Sequence, residues 1–563
     1  MSEPSTQPDP PPSTPPAGDA QPESIGSHVR TVSGITLISR FAGLGRDLIT
    51  ARIFGDTVVG SAFAAAFTIP NTFRRLLGEG ALSAAFLPQY TRLADSDESA
   101  GINEAGPYAA IVLRWLALVT GAITVVLELV LLAIILLAPG PFERSLSLKL
   151  MMVALPFMPL VCTSAILGGM LQAHHRFGVW AAAPIIMNAA IIAAAVPFYF
   201  IEGMTAAAWA YPIVTSTLVA GSIQIAWSLT VLRRHVRWGV ITPEARAHAR
   251  EMLRRMVPAL IGLGTLQLNS LIDTVIAMYP IWVGPTIAGR AYPLDESSNS
   301  ILFFAQRLYQ FPLGVFGIAV ATAAFPALSR AAGDPARFGS LLRRGVRLSL
   351  FIGLPASVGL LLVRDDLVTV LYSGSGGGFS DEGVARASMV LLMYAGAVWA
   401  YSLNQLFTRA FYAHDDTRTP MRVAMATVGL NLVLNLILIW HFREAGLALA
   451  TASTAVLQTV LLGWLLRRKL SATEKPADSA GAHTARGVIG VVLLSLTMGV
   501  AVALVMQALP NGTWAQAAIR LAAATAVGGV AYLVLARLTR RPELTWLLHR
   551  STAADKPEAT DGD

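Results

Sequence analysis

Long apolar stretches, broken by short polar ones, run along this chain almost from end to end. "LALVTGAITVVLELVLLAIILLAPG" (116–140), "AAAPIIMNAAIIAAAVPFYFI" (181–201) and "IGVVLLSLTMGVAVALVMQALP" (489–510) are each long enough to cross a hydrocarbon layer as a helix. Reading the whole pattern this way predicts about fourteen transmembrane helices. They fall at roughly 31–54, 60–91, 107–139, 147–173, 180–201, 205–233, 251–281, 298–329, 340–373, 385–412, 419–440, 445–467, 486–509 and 513–538. The expected fold class is an all-α polytopic membrane protein.

Composition agrees. Hydrophobic residues make up 54% of the chain and charged residues only 13%, against roughly 25% charged in a soluble domain. The net charge of +8 does not point to nucleic acid, because lysine and arginine gather between spans. "RRHVRWGVITPEARAHAREMLRR" (233–255), "RAAGDPARFGSLLRRGVR" (330–347) and "RRKLSATEKPADSAGAHTAR" (467–486) share one side of the predicted layout. The loops at 55–60, 201–204, 363–383 and 510–514 fall on the other side and nearly lack arginine. The positive-inside rule puts the first set, and both termini, in the cytoplasm. Residues 1–27 are rich in Pro and Ser, without the basic and apolar regions of a signal peptide, and read as a disordered cytoplasmic tail. The single cysteine, Cys162, excludes disulfides and a Cys-based metal site.

The chain also resembles itself. "AAFLPQYTR" (84–92) ends the second span and "AAFPALSR" (323–330) the eighth. "LQAHHRF" (171–177) follows the fourth and "FYAHDDTRTP" (411–420) the tenth. Both pairs are about 240 residues, or six spans, apart. An even number of spans makes the halves parallel repeats, related by an axis along the membrane normal. The expected organisation is a six-helix lobe at 28–240, a second at 241–470, a cytoplasmic linker at 471–485, two additional helices at 486–540 and a cytoplasmic tail at 541–563.

Charges inside the spans are the candidate chemistry. The first span carries Arg40, Arg46, Asp47 and Arg52. Arg40 and Asp47, seven residues apart, share a helical face. The second holds Arg74, Arg75 and Glu79 among apolar residues, with Arg75 and Glu79 one turn apart. The eighth holds Arg307 just before Pro312 and Gly314. A charge deep in a bilayer costs about 3 kcal/mol or more and therefore faces protein or a watery cavity. Prolines and glycines beside these residues predict broken helices lining such a space. Arg52 and Arg92 fit the plainer reading, snorkelling from span ends. Arg40, Arg46, Arg74, Arg75 and Arg307 outnumber the nearby acids, and an uncompensated cationic cavity suits an anion, phosphate above all. His174 and His175 read as a solvated pair. "GSGGGFS", in the 363–383 loop, lacks the ending of a phosphate loop. No nucleotide motif or nucleophile–base set is present, so an enzyme or ATP-driven pump is not expected.

A second group of polar residues lies on later spans. "LGTLQLNSLIDTVIAM" buries Asp273, "GLNLVLNLILIW" puts Asn431 and Asn435 one turn apart, and "GLALATAST" offers Thr451. Carboxylate, amide and hydroxyl oxygens suit a hard cation. Membrane asparagines also serve simply to glue helices together.

"SRFAGLGRDLITARIFG", "FTIPNTFRRLLGEGALSAAFLPQY", "QRLYQFPLGVFGIAVATAAFPALSR" and "RAFYAHDDTRTP" resemble the MurJ (MviN) lipid II flippases, of the multidrug/oligosaccharidyl-lipid/polysaccharide exporter superfamily. The resemblance runs from about residue 30 to 540. It implies two lobes around a central cavity and a lipid-tail groove formed by the last two helices. It also implies export of undecaprenyl-pyrophosphate-linked peptidoglycan precursor to the outer leaflet of the bacterial cytoplasmic membrane. Arg40, Arg46, Arg74, Arg75 and Arg307 match the family's arginines, and with Glu79 they form the expected substrate site. Some members bind sodium at positions matching Asp273, Asn431, Asn435 and Thr451, which makes Na+ the candidate coupling ion, with no cofactor otherwise required. This chain has Asn435 where such members can carry Asp, and Ser61 where some carry an acid. Expected partners are lipid II, membrane lipids and cell-wall assembly proteins. The alternatives are an exporter of another polyprenyl-linked glycan, a multidrug antiporter of the same superfamily, and a membrane scaffold for cell-wall assembly.

Overall fold

The computed structural model describes residues 22–76, 82–100, 103–374, 378–471 and 478–548. Helix occupies the predicted spans wherever residues are described. The first half runs α1 (Pro22–Phe54), α2 (Val58–Phe73), α3 (Leu82–Ala100), α4 (Ala105–Leu137), α5 (Phe142–Ala154), α6 (Phe157–Ala173), α7 (Phe177–Ala195) and α8 (Ala206–Leu232). The second runs α9 (Pro243–Trp282), α10 (Ser298–Pro312), α11 (Ile318–Arg330), α12 (Pro335–Tyr372), α13 (Asp381–Ala395), α14 (Val398–Ala413), α15 (Arg418–Phe442) and α16 (Glu444–Ser471). Then come α17 (Asp478–Ala508), α18 (Trp514–Leu538) and the short α19 (Pro542–Leu548).

Among the described residues, nine helical segments are long and apolar enough to cross a membrane, or ten with α13 and α14, which bend by 42° at their junction. α1, α2, α3, α9, α10 and α11 are not among them, and these helices carry most of the intramembrane charges. Several elements start or end inside segments read as loop or tail. α1 begins at Pro22, within 1–27, where a proline and Glu23 suit a helix N-terminus. α17 begins at Asp478, within the 471–485 linker, and α19 lies within 541–563.

Helix starts follow local chemistry. Thr57, Thr205, Thr242, Ser380 and Thr513 precede α2, α8, α9, α13 and α18, and each hydroxyl accepts a backbone N–H three residues on. The two helix ends matched in sequence also close alike. His175 and Asp415 take φ of 57° and 56°. Arg176 N donates to Leu171 O at 2.7 Å, and Asp416 N donates to Phe411 O at 3.1 Å.

Several apolar cores hold the helices together. One packs Phe86, Tyr90, Tyr108 and Met158 from α3, α4 and α6. Another packs Phe304, Tyr309, Tyr372 and Tyr394 from α10, α12 and α13. α17 and α18 join a third core through Met498 and Tyr532, which pack with Phe351 of α12. The Tyr532 hydroxyl donates to Phe351 O at 2.6 Å, and Arg520 lies 3.2 Å from Asp366.

At the distal end, where α1 finishes, an ion network ties three connections together. Arg386 of α13 meets Glu444 at 2.7 Å and Asp295 at 2.9 Å, and Arg443 also contacts Asp295. Glu444 is 3% exposed. Arg386→Ala would leave that carboxylate with the Ser298 hydroxyl at 3.3 Å and, as its ion-pair partner, Arg443 at 3.9 Å. The expected cost is about 3 kcal/mol, the low end for a broken buried pair. It should appear as a melting temperature lowered by several degrees in detergent; an unchanged value would mean the network carries no net stability.

Candidate functional site

α2, α9 and α10 face one another and enclose a small cavity of about 30 Å³. α2 contributes Thr68, Asn71 and Thr72, with Arg75 just past its end. α9 contributes Gln267, Ser270, Asp273 and Thr274, and α10 contributes Asn299, Gln306, Arg307 and Gln310. Local sequence produces this polar wall. Pro70 sits inside α2, and the helix widens to a π-turn at 74–76 before the residues that lie outside the description. α10 ends at Pro312 and continues through a π-helical turn, Leu313–Gly317, into α11. Such turns often mark functional sites.

The five predicted arginines do not share one surface. Arg75 and Arg307 line the cavity. Arg75 Nη1 donates to Gln267 Oε1 at 3.5 Å, and Arg307 Nη1 donates to Gln310 Oε1 at 3.3 Å. The Arg307 guanidinium lies 4.4 Å from the Phe303 ring centre, and its Nε is buried without a hydrogen-bond partner. Arg74, outside the lining, donates through Nε to Asn71 Oδ1 at 2.9 Å.

Arg46 is also outside the lining and nearly buried. It donates to Asp47 Oδ1 at 2.7 and 3.0 Å and to Asn188 Oδ1 of α7 at 3.0 Å. Asp47 therefore takes its chain neighbour as partner, although it shares a helical face with Arg40. Arg40 lies against Gly314, where an added Cβ would come within 1.9 Å of its Nη1. A larger residue there would push the Arg40 guanidinium aside. Glu79 lies outside the described residues. Asn188, Gln267, Gln306 and Gln310 were missed from sequence, since uncharged amides among apolar residues give little signal by themselves.

Contacts between the two halves flank the cavity at both ends. Distally, Ser300 donates through its backbone N–H to Ser61 Oγ at 3.0 Å and through its hydroxyl to Gly55 O at 2.6 Å. Asn299 Nδ2 donates to Ser61 O at 2.9 Å, and Asp56 accepts from Ser380 N at 2.9 Å. All these bonds join the two halves. A Cβ on Gly60 would come within 2.3 Å of Ser300 Oγ, so the close approach requires glycine. Toward the other end, the Phe41 and Phe311 rings meet edge to face at 5.8 Å, beside the Arg40–Gly314 contact.

The second predicted group does come together. Asp273, Asn431 and Asn435 are at most 2% exposed. Asn435 Nδ2 donates to Asp273 Oδ1 at 2.7 Å and to Asn431 Oδ1 at 3.1 Å. Thr451 Oγ donates to Asp273 Oδ2 at 3.4 Å, and Asn431 Nδ2 donates to Thr451 at 3.3 Å. Asn435 Oδ1 is buried with no partner. Asp273 also lines the cavity, so the two polar regions share a wall. One carboxylate, two amide oxygens and a hydroxyl, one of the amide oxygens orphaned, fit a hard monovalent cation. No cluster of three or more His, Cys, Asp or Glu occurs among the described residues.

A family model described as "Lipid II flippase MurJ" matches residues 50–537. A protein of Rhizobium meliloti (strain 1021), carrying the name "Probable lipid II flippase MurJ", is 32% identical over 460 residues, which cover 80% of each chain. The solved structure "Lipid II flippase MurJ, inward closed conformation" superposes with a TM-score of 0.72 at 21% identity, covering 91% of this chain and 99% of that one. An inward-facing multidrug resistance transporter of the MATE family superposes with a TM-score of 0.61 at 14% identity, covering 79% and 99%.

Proposed function

Because the chain belongs to the lipid II flippase MurJ family, we propose that it carries lipid II, the undecaprenyl-pyrophosphate-linked peptidoglycan precursor, from the inner to the outer leaflet by alternating access. The observation that carries this reading, beside the family, is the cavity between the halves with two arginines and one acid on its wall among the described residues. Arg75 and Arg307 receive the pyrophosphate, whose paired oxygens match the guanidinium fork. Arg46 of α1, paired with Asp47 and held by Asn188, stands outside the lining and contributes no free charge to it. A 30 Å³ space holds about one water, so substrate enters only after the Phe41–Phe311 side parts. It leaves after the Ser61–Ser300 side parts. No bond is made or broken, so the protein is a transporter of secondary type.

The arginine-rich connections orient the chain with both termini in the cytoplasm, which makes the distal end extracytoplasmic. The lobes at 28–240 and 241–470 rock about the cavity, while α17 and α18, anchored on α12, provide a groove for the lipid tail. Asp273, Asn431, Asn435 and Thr451 would hold Na+, which would supply the ion gradient's free energy when bound.

Depletion of the protein in its own host tests the function. Lipid II should cease to be accessible to an externally added lipid II-cleaving toxin. Unchanged accessibility would overturn the reading, and so would full rescue by a chain with its cavity arginines neutralised, which points to a scaffold.

A further inference from the structure

Each of four arginines in this region donates to the oxygen of a side-chain amide: Arg74 to Asn71, Arg75 to Gln267, Arg307 to Gln310, and Arg46, which is also paired with Asp47, to Asn188. The amides come from α2, α7, α9 and α10, so no single sequence motif produces the pattern. Arginine held inside a protein ordinarily pairs with a carboxylate, as Arg386 does with Glu444 and Arg347 with Glu543 at 2.6 Å elsewhere in this chain. The cavity wall departs from that habit. Among the described residues it carries five side-chain amides and a single acid, Asp273, whose Oδ1 already accepts from Asn435.

An amide oxygen and a carboxylate oxygen both accept from a guanidinium and fix its plane, but only the carboxylate cancels its charge. We propose that Gln310 is a positioning residue for the anion site: it orients the Arg307 fork with a neutral acceptor, so that the cation keeps its charge for a diphosphate ligand. The inference deepens the transport reading and rests on it for the identity of the lipid-linked ligand, though not for the anion chemistry.

Gln310→Glu is the discriminating change, because it preserves size and hydrogen-bond acceptance while adding the charge the site avoids. A residue that served only as a structural acceptor would tolerate it, since a carboxylate beside Arg307 holds the guanidinium at least as well. Under the proposal, Q310E folds with an undiminished melting temperature and loses affinity for inorganic pyrophosphate, read as the half-saturating concentration in a thermal-shift titration of the purified full chain. The expected loss is about tenfold to a hundredfold, the equivalent of one charge-assisted bond. Gln310→Leu, which frees the fork without quenching it, should lose only about threefold to fivefold, less than the acid variant.

Native-like pyrophosphate affinity in Q310E would overturn the proposal. So would a loss in Q310L as large as that in Q310E, because hydrogen bonding rather than charge would then be the property that matters. A Q310E chain that fails to fold also counts against it, because the new carboxylate has a buried cation to pair with. Pyrophosphate binding is independent of transport. If the toxin assay fails while the Q310E and Q310L pattern holds, the substrate assignment falls and the amide assignment stands.

Discussion

Arg307→Ala should give a protein that inserts and folds but does not support growth when the native protein is depleted. The residue lies on the cavity wall, its Nε has no hydrogen-bond partner, and its closest described contacts are the Gln310 oxygen and the Phe303 ring. A cation so placed adds little to stability, since burying a charge without a counter-charge is costly. The melting temperature should therefore hold or rise. Toward a diphosphate the same group offers two parallel charge-assisted bonds, each contributing about 1.5–3 kcal/mol. Losing both would cut binding by about two to four orders of magnitude. Arg307→Lys keeps the charge but not the fork and should retain partial activity. Arg75→Ala, on the same wall, should also lose activity. Arg74→Ala should do less damage, because Arg74 stands outside the lining. If Arg307→Ala complements fully, the anion site lies elsewhere.

The contrast between Arg75 and Arg74 shows where sequence reading stopped. Adjacent residues on a helix point about 100° apart, so one of two neighbouring arginines in "NTFRRL" can line the cavity while the other does not. The pattern alone did not say which would. The spans themselves were legible, because α4 is a 33-residue apolar helix and a run of that length has few other fates in water. The convergence of Asp273, Asn431, Asn435 and Thr451 was legible for a related reason. Polar side chains in apolar helices must find one another or leave the membrane.

The distal seal was not legible. It depends on Gly60 letting Ser300 approach and on Ser61 receiving a backbone N–H 239 residues away. Neither small residue is unusual where it stands. The amides behind the arginines stayed hidden too, because Asn188 in "AAAPIIMNAA" reads as one polar residue in an apolar run until α7 is packed against α1.

Sodium should stabilise the native protein and speed its transport of lipid II in proteoliposomes, and Asp273→Asn should abolish both effects. The buried set contains one carboxylate, and its negative charge has no arginine or lysine among its described hydrogen-bond or ion-pair partners. What it has instead are the Asn435 amide and the Thr451 hydroxyl, neutral groups that leave the charge uncancelled. A buried carboxylate in that condition gains from a cation, and the orphaned Asn435 Oδ1 gains as well. Substituting the amide for the acid keeps the shape and removes the charge. The variant should then show the same melting temperature in sodium as in choline, whereas the native protein should melt higher in sodium. Asn435→Asp, which adds the second acid that some relatives carry, should tighten the dependence. The coupling should reach the substrate site directly, because Asp273 is at once part of this network and part of the wall that holds Arg307. A cation there adds positive charge beside the place where the pyrophosphate binds, so sodium should also raise pyrophosphate affinity in the native chain and leave it unchanged in Asp273→Asn. Equal melting temperatures and equal transport in sodium and choline for the native protein would remove the ion from the cycle. Asp273 would then be a structural or proton-binding residue, and the membrane potential acting on the net-positive cavity would remain as the driving force.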